Sequence, residues 1–104
     1  MTIAYSDAML ELRPSCELCD RDLPPASTEA MICTFECTFC ARCVRETLHN
    51  VCPNCGGGFS PRPVRPRDRL AKYPPSTKRV TKPLDAARYA PLLARYRDVR
   101  AEQR

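Results

Sequence analysis

The sequence predicts a small α+β domain that metal, rather than a large apolar core, holds in shape. Three observations carry this expectation. All eight cysteines lie between residues 16 and 55, in the series C-x2-C-x13-C-x3-C-x2-C-x2-C-x8-C-x2-C. Eight soft ligands complete two four-thiolate sites with none left over, so two structural Zn2+ ions are expected. The apolar residues of the same span are few: Leu18, Leu23, Met31, Ile32, Phe35, Phe39, Val44, Leu48 and Val51. A span of about forty residues rarely buries enough surface to fold unaided. A structural zinc ion contributes about 10–16 kcal/mol in small zinc-finger peptides near neutral pH, so metal decides whether the segment folds.

Disulfides are the competing use of cysteine, and they need an oxidising compartment. The N-terminal run MTIAYSDAMLELRPSC offers no charged leader and no continuous apolar stretch, because Asp7 and Glu11 interrupt it. No apolar run approaches the roughly eighteen residues of a membrane span. The expectation is a soluble, cytoplasmic protein with reduced thiols, no membrane partner and no small-molecule substrate.

The elements follow in order. Residues 1–9 read as an N-terminal extension, and residues 10–60 as the two-zinc domain. Residues 20–30, DRDLPPASTEA, form a loop, since Pro24-Pro25 excludes regular structure. Ser27, Thr28 and Glu29 in it have no base partner, and no catalytic residue is assigned. Ala30–Phe35 is short, apolar and partly β-branched, which suits one arm of a hairpin leading into Cys33 and Cys37. Ala41 to His49 suits a short helix with Val44 and Leu48 on one face, stopped by Asn50. The only histidine, His49, reads as a helix-end residue rather than a ligand. Cys52-Pro53-Asn54-Cys55 before Gly56-Gly57-Gly58 reads as a tight knuckle whose glycines let backbone N–H groups turn toward sulfur.

Four cysteine pairs can share two metals sequentially or as a cross-brace. Pairs two and three are separated by only two residues, so a strand ending near Cys37 and a helix starting near Cys40 would feed opposite sites. This favours the cross-brace, with Cys16, Cys19, Cys40 and Cys43 on the first zinc and Cys33, Cys37, Cys52 and Cys55 on the second. A weaker grouping, Cys37-x2-Cys40-x2-Cys43 with Cys52-Pro53, has ferredoxin-like spacing but leaves Cys16, Cys19, Cys33 and Cys55 stranded.

The spacing resembles an all-cysteine RING finger, a cross-braced, treble-clef-type zinc module, with Cys37 where that family usually has histidine. The final Cys52-Pro53-Asn54-Cys55 resembles its CPxC pair. The resemblance implies contact positions for a ubiquitin-conjugating partner at Leu18 and Pro53. Two features depart from the pattern: the chain has no tryptophan, and Gly56 stands where active ligases often place arginine. A closer resemblance covers about Leu10 to Pro66. The run LRPSCELCDRDLPPASTEAMICTFECTFCARC, followed by CPNCGG and arginine-proline pairs, is similar to a small bacterial family catalogued as domain of unknown function 1272. It implies zinc binding through the cysteines and a family start near Met9, and a bacterial setting argues against ubiquitin ligation.

The formal charge of +5 conceals a division. Residues 1–60 hold four basic and eight acidic residues, a sum of −4, whereas residues 61–104 hold thirteen basic and four acidic, a sum of +9. Each tetrathiolate zinc site adds about −2, taking the first half to about −8. Residues 61–83 alternate prolines with basic residues and predict an extended linker. Residues 84–104 predict an amphipathic helix, with Tyr89, Leu92, Tyr96 and Val99 as its packing stripe. Pro91 inside it marks a kink or a fresh start. Opposite charge on the two halves leaves two outcomes open: the tail docks on its own zinc domain, or it stays a solvated, flexible chain.

Saturated sulfur sites leave no open coordination position, so the leading expectation is a non-catalytic module that binds another protein. Nucleic-acid binding is the alternative, with Arg62, Arg65, Arg67, Arg69, Lys72, Lys78, Arg79 and Lys82 gripping phosphates. A thiol redox sensor working by zinc release is a further alternative.

Overall fold

A computed structural model describes residues 9–104. The expected extension therefore falls, up to residue 8, outside the described residues. A hairpin forms the centre: β1, Ala30–Ile32, pairs antiparallel with β2, Thr38–Cys40, with Ala30 opposite Cys40 and Ile32 opposite Thr38. The strand is shorter than the expected arm to Phe35. Cys33 and Cys37 close the turn, with the Cys33 N–H donating to the Cys37 carbonyl at 3.2 Å. Glu36 takes a positive φ of 64°, which reverses the chain. Phe35 is thereby thrown outward, 71% exposed, and does not join the core. A third strand, β3, Ser60–Pro61, adds to the free side of β1, giving the antiparallel order β2-β1-β3.

The helix α1, Ala41–Glu46, leaves β2 without a connecting loop. Its cap is a cysteine: the Cys40 sulfur accepts from the Cys43 N–H. It stops before His49 because the chain winds back, Leu48 N–H donating to Cys43 and Asn50 N–H to Val44. His49 and Asn50 both have positive φ, 48° and 60°, and the Asn50 side chain accepts from the Phe59 N–H at 2.9 Å. The stop expected at Asn50 is a left-handed turn of two residues. The core packs Leu23, Ala30, Phe39, Val44, Leu48 and Val51 among the buried cysteines, with Phe59 edge-on to Phe39 at 5.4 Å.

The stretch expected as an extended linker over 61–83 is mostly extended, and it is tied to the domain at several points. Arg62 is 4% exposed, and its guanidinium donates to the carbonyls of Arg13, Leu23 and Pro24. Arg65 donates to the carbonyls of Tyr73 and Leu10, spanning a short 3₁₀ turn at Arg67–Arg69. Ser76 N–H reaches the Leu12 carbonyl and Lys82 N–H the Glu17 carbonyl, each at 2.9 Å. Prolines prevent a helix or interior strand here, but they leave the chain extended and able to lie on a surface.

The second helix, α2, spans Ala86–Tyr96, with Asp85 as its cap and Pro91 inside it. Tyr89 is 5% exposed, and its hydroxyl lies 2.7 and 2.8 Å from the carbonyl oxygens of Leu48 and Val51. Burial holds that phenol above its ordinary range, at about 12. Gly56 adopts φ +78°, and a Cβ there would stand 2.9 Å from the Tyr96 ring, so glycine is required for both backbone and space. Arg104, after a last 3₁₀ turn at Ala101–Gln103, donates to the carbonyls of Asn50, Gly56 and Val99.

Candidate metal centre

Two groups of sulfur atoms form around the hairpin. The first brings together Cys16 and Cys19, from the first knuckle, with Cys40 and Cys43, from the end of β2 and the first turn of α1. Their sulfurs all lie within 4.8 Å of one another, and those of Cys19 and Cys40 are 3.8 Å apart. A tetrahedral ion with metal–sulfur bonds of about 2.3 Å requires edges of about 3.8 Å. Cys16, Cys40 and Cys43 are buried and Cys19 is exposed. The second group joins Cys33 and Cys37, at the two ends of the β1–β2 turn, to Cys52. Cys55, half-buried at the other end of the same knuckle, stands outside this 4.8 Å group. The ferredoxin-like grouping does not form, since Cys37 sits with Cys33 and Cys52 and apart from Cys40 and Cys43.

Backbone N–H groups surround the sulfurs. Cys19 N–H points at the Cys16 sulfur and Cys43 N–H at the Cys40 sulfur, both at 3.5 Å. Phe35 N–H meets the Cys33 sulfur and Gly57 N–H the Cys55 sulfur, both at 3.4 Å. The Asn54 amide donates to the Cys37 sulfur at 3.4 Å. Donors aimed at sulfur stabilise thiolate and orient it, as the surroundings of metal ligands do. Neighbouring thiols shift one another strongly. A hydrogen bond from Cys52 brings Cys37 down to about 5, whereas burial lifts Cys33 to about 11. The pattern is that of crowded thiols, which a divalent cation among them relieves by letting all of them ionise. The donor set is sulfur alone, which fits zinc and other soft-metal chemistry and does not fit calcium or magnesium.

Glu17 supports the hairpin from below. It is 5% exposed and accepts from the Thr38 N–H and, at 2.8 Å, from the Arg13 guanidinium. Nothing in the spacing singles it out; a lone acidic residue between two ligands reads as surface until the sheet closes over it. The residues expected to grip phosphate divide into two sets. Arg62, Arg65 and Arg79 are committed to carbonyls or to Asp20 and Asp22 within the chain. Arg67, Arg69, Lys72, Lys78 and Lys82 are exposed. The arginine-proline alternation signals an unusual backbone, and several of its arginines serve that backbone.

A family model described as "Protein of unknown function (DUF1272)" matches residues 9–65, over half of the chain. The chain belongs to the DUF1272 family. The match takes in all eight cysteines and both anchoring arginines, Arg62 and Arg65, and stops short of α2. An uncharacterized protein of Rhizobium meliloti (strain 1021), R02474, is 65% identical over 79 residues, covering 76% of this chain and 94% of the relative. A stretch of 79 residues in a chain of 104 runs at least to residue 79, so the similarity to that relative extends beyond the family match into the tail. No solved structure matches the DUF1272 chain. Among the described residues no helix is long and apolar enough to cross a membrane.

Proposed function

We propose that this DUF1272 protein is a non-catalytic, cytoplasmic interaction module built on two structural zinc ions in a RING-like cross-brace, and that it binds another protein. The convergence of Cys16, Cys19, Cys40 and Cys43 carries the reading. Four thiolates satisfy a tetrahedral ion and leave no position at which water or substrate could be activated. Cys55, joined to Cys52 by the last knuckle, would complete the second centre beside Cys33 and Cys37.

The charge placement favours protein over nucleic acid. Three of the eight basic residues that could face phosphate are engaged within the chain, which leaves five, Arg67, Arg69, Lys72, Lys78 and Lys82, exposed to neutralise phosphates. Native mass spectrometry with and without chelator tests the metal core, and two bound zinc ions are expected. The mass of the bare polypeptide in a cooperatively folded sample would overturn it. A titration with duplex and single-stranded DNA and RNA is expected to give only weak, salt-erased binding. Tight binding that persists at physiological salt would overturn the choice of protein as partner.

A further inference from the structure

The tail crosses the first knuckle as an extended strap, residues 74–85, with no regular secondary structure. Its contacts there are nonetheless specific. The Arg79 guanidinium pairs with Asp22 at 2.7 Å and Asp20 at 3.1 Å, and donates to the Asp20 carbonyl at 2.7 Å. Two residues on, the Thr81 hydroxyl donates to the same Asp20 carboxylate at 2.8 Å. Side chains two apart share a face in an extended chain, which is how both reach one acid. The Lys82 N–H then donates to the Glu17 carbonyl. Leu84 packs against the buried core. With Leu18, Phe39 and Pro53, and with the polar Glu17, Asn54 and Arg88, it lines a cavity of about 370 Å³.

Main-chain pairing combined with side-chain pockets at fixed offsets is the physics by which proteins read extended peptides. We propose that this surface is a recognition track for an extended protein segment of the form Arg-x-Ser/Thr-x-x-Leu, occupied in this chain by residues 79–84 and open to a partner's segment of the same chemistry when the strap lifts. The inference rests on the interaction-module reading and names its ligand. Charge complementarity selects a basic segment, since residues 1–60 hold twice as many acidic as basic residues. The strap can lift because its ion pairs are exposed: the side chains are 44% accessible at Arg79, 49% at Asp20 and 80% at Asp22, so salt screens them. Tyr89 keeps α2 seated meanwhile.

The test uses the full-length, metal-loaded protein and a fluorescein-labelled peptide with the sequence of residues 76–86, STKRVTKPLDA. The tethered strap competes at high effective concentration, so the wild type binds the peptide weakly. The strap variant Arg79→Ala/Thr81→Val is expected to bind it at least about tenfold more tightly. Adding Asp20→Asn and Asp22→Asn to that variant is expected to abolish the gain; asparagine tolerates the positive φ of Asp20, so the knuckle keeps its shape. A peptide carrying the alanine and valine replacements is expected not to bind. No gain in the strap variant, or equal binding of the two peptides, overturns the track. Native mass on the same samples separates the two readings. Two bound metals without peptide binding sinks the track alone, and absent metal sinks the module.

Discussion

The cysteine-bearing half and the basic tail are both poor in regular structure, yet different forces hold them. Residues 16–55 are organised around sulfur, with two strands of three residues and a helix of six set between ligand clusters. Residues 61–104 are organised by arginine and tyrosine donating to backbone carbonyls. Arg62, Arg65, Tyr89 and Arg104 between them reach Leu10, Arg13, Leu23, Pro24, Leu48, Val51 and Gly56 in the first half. A small loop-rich domain exposes many carbonyls that no helix or sheet satisfies. A tail rich in donors can cover them. The basic residues that look like a phosphate grip are in part a substitute for missing secondary structure.

Metal removal should break this comparison most completely. A structural zinc ion in a small domain is worth about 10 kcal/mol or more. Chelation is expected to erase NMR dispersion in both halves, since the carbonyls that anchor the tail are positioned only in the folded domain. If tail resonances kept their dispersion after chelation, the tail would fold independently.

Tyr89→Ala comes next, with an expected loss of about 3–5 kcal/mol in urea unfolding, because it empties a buried site and removes the hydroxyl that reaches the Leu48 and Val51 carbonyls. Tyr89→Phe keeps the packing and should cost about 1–3 kcal/mol. Equal losses for the two would show that the hydroxyl does all the anchoring. Arg62→Ala takes its donor from the carbonyls of Arg13 and Leu23, while that of Pro24 keeps its bond from the Ser27 N–H, and a midpoint shift worth about 2–4 kcal/mol is expected. Burial lowers the Arg62 pKa, but arginine remains charged throughout the accessible range. Arg62→Lys, which cannot fork to three acceptors, should recover only part of the loss.

Gly56→Ala should cost about 1–2 kcal/mol, from the positive φ and the approach to Tyr96, and double-mutant coupling with Tyr96→Ala measures how much is contact. The smallest effect belongs to Phe35→Ala. It is expected to stay within about 0.5 kcal/mol in the same urea assay, because the side chain is mostly solvated. A larger loss would place Phe35 in the core after all.

Much of the cysteine-bearing half is legible in the sequence, for a local reason. A ligand pair two or three residues apart needs only a turn, and turns are written in adjacent residues. The same locality makes the short helix after Cys40 and the reversal at Asn50 readable. The helix and the strand are both shorter than their patterns suggest, because a periodic pattern does not register where a sulfur takes over from the hydrogen-bond ladder. Phe35 departs from the hairpin arm expected over Ala30–Phe35 for a related reason: the strand ends at Ile32, and the positive φ at Glu36 reverses the chain beside an exposed Phe35.

By itself the sequence determined the eight sulfurs, the small α+β plan and the packing roles of Tyr89 and Tyr96, since spacing and periodicity are properties of neighbours along the chain. Only the tertiary structure decided what the tail does. Whether an arginine meets solvent, phosphate or a carbonyl about fifty residues away depends on which backbone groups the fold leaves unpaired. No local pattern records that.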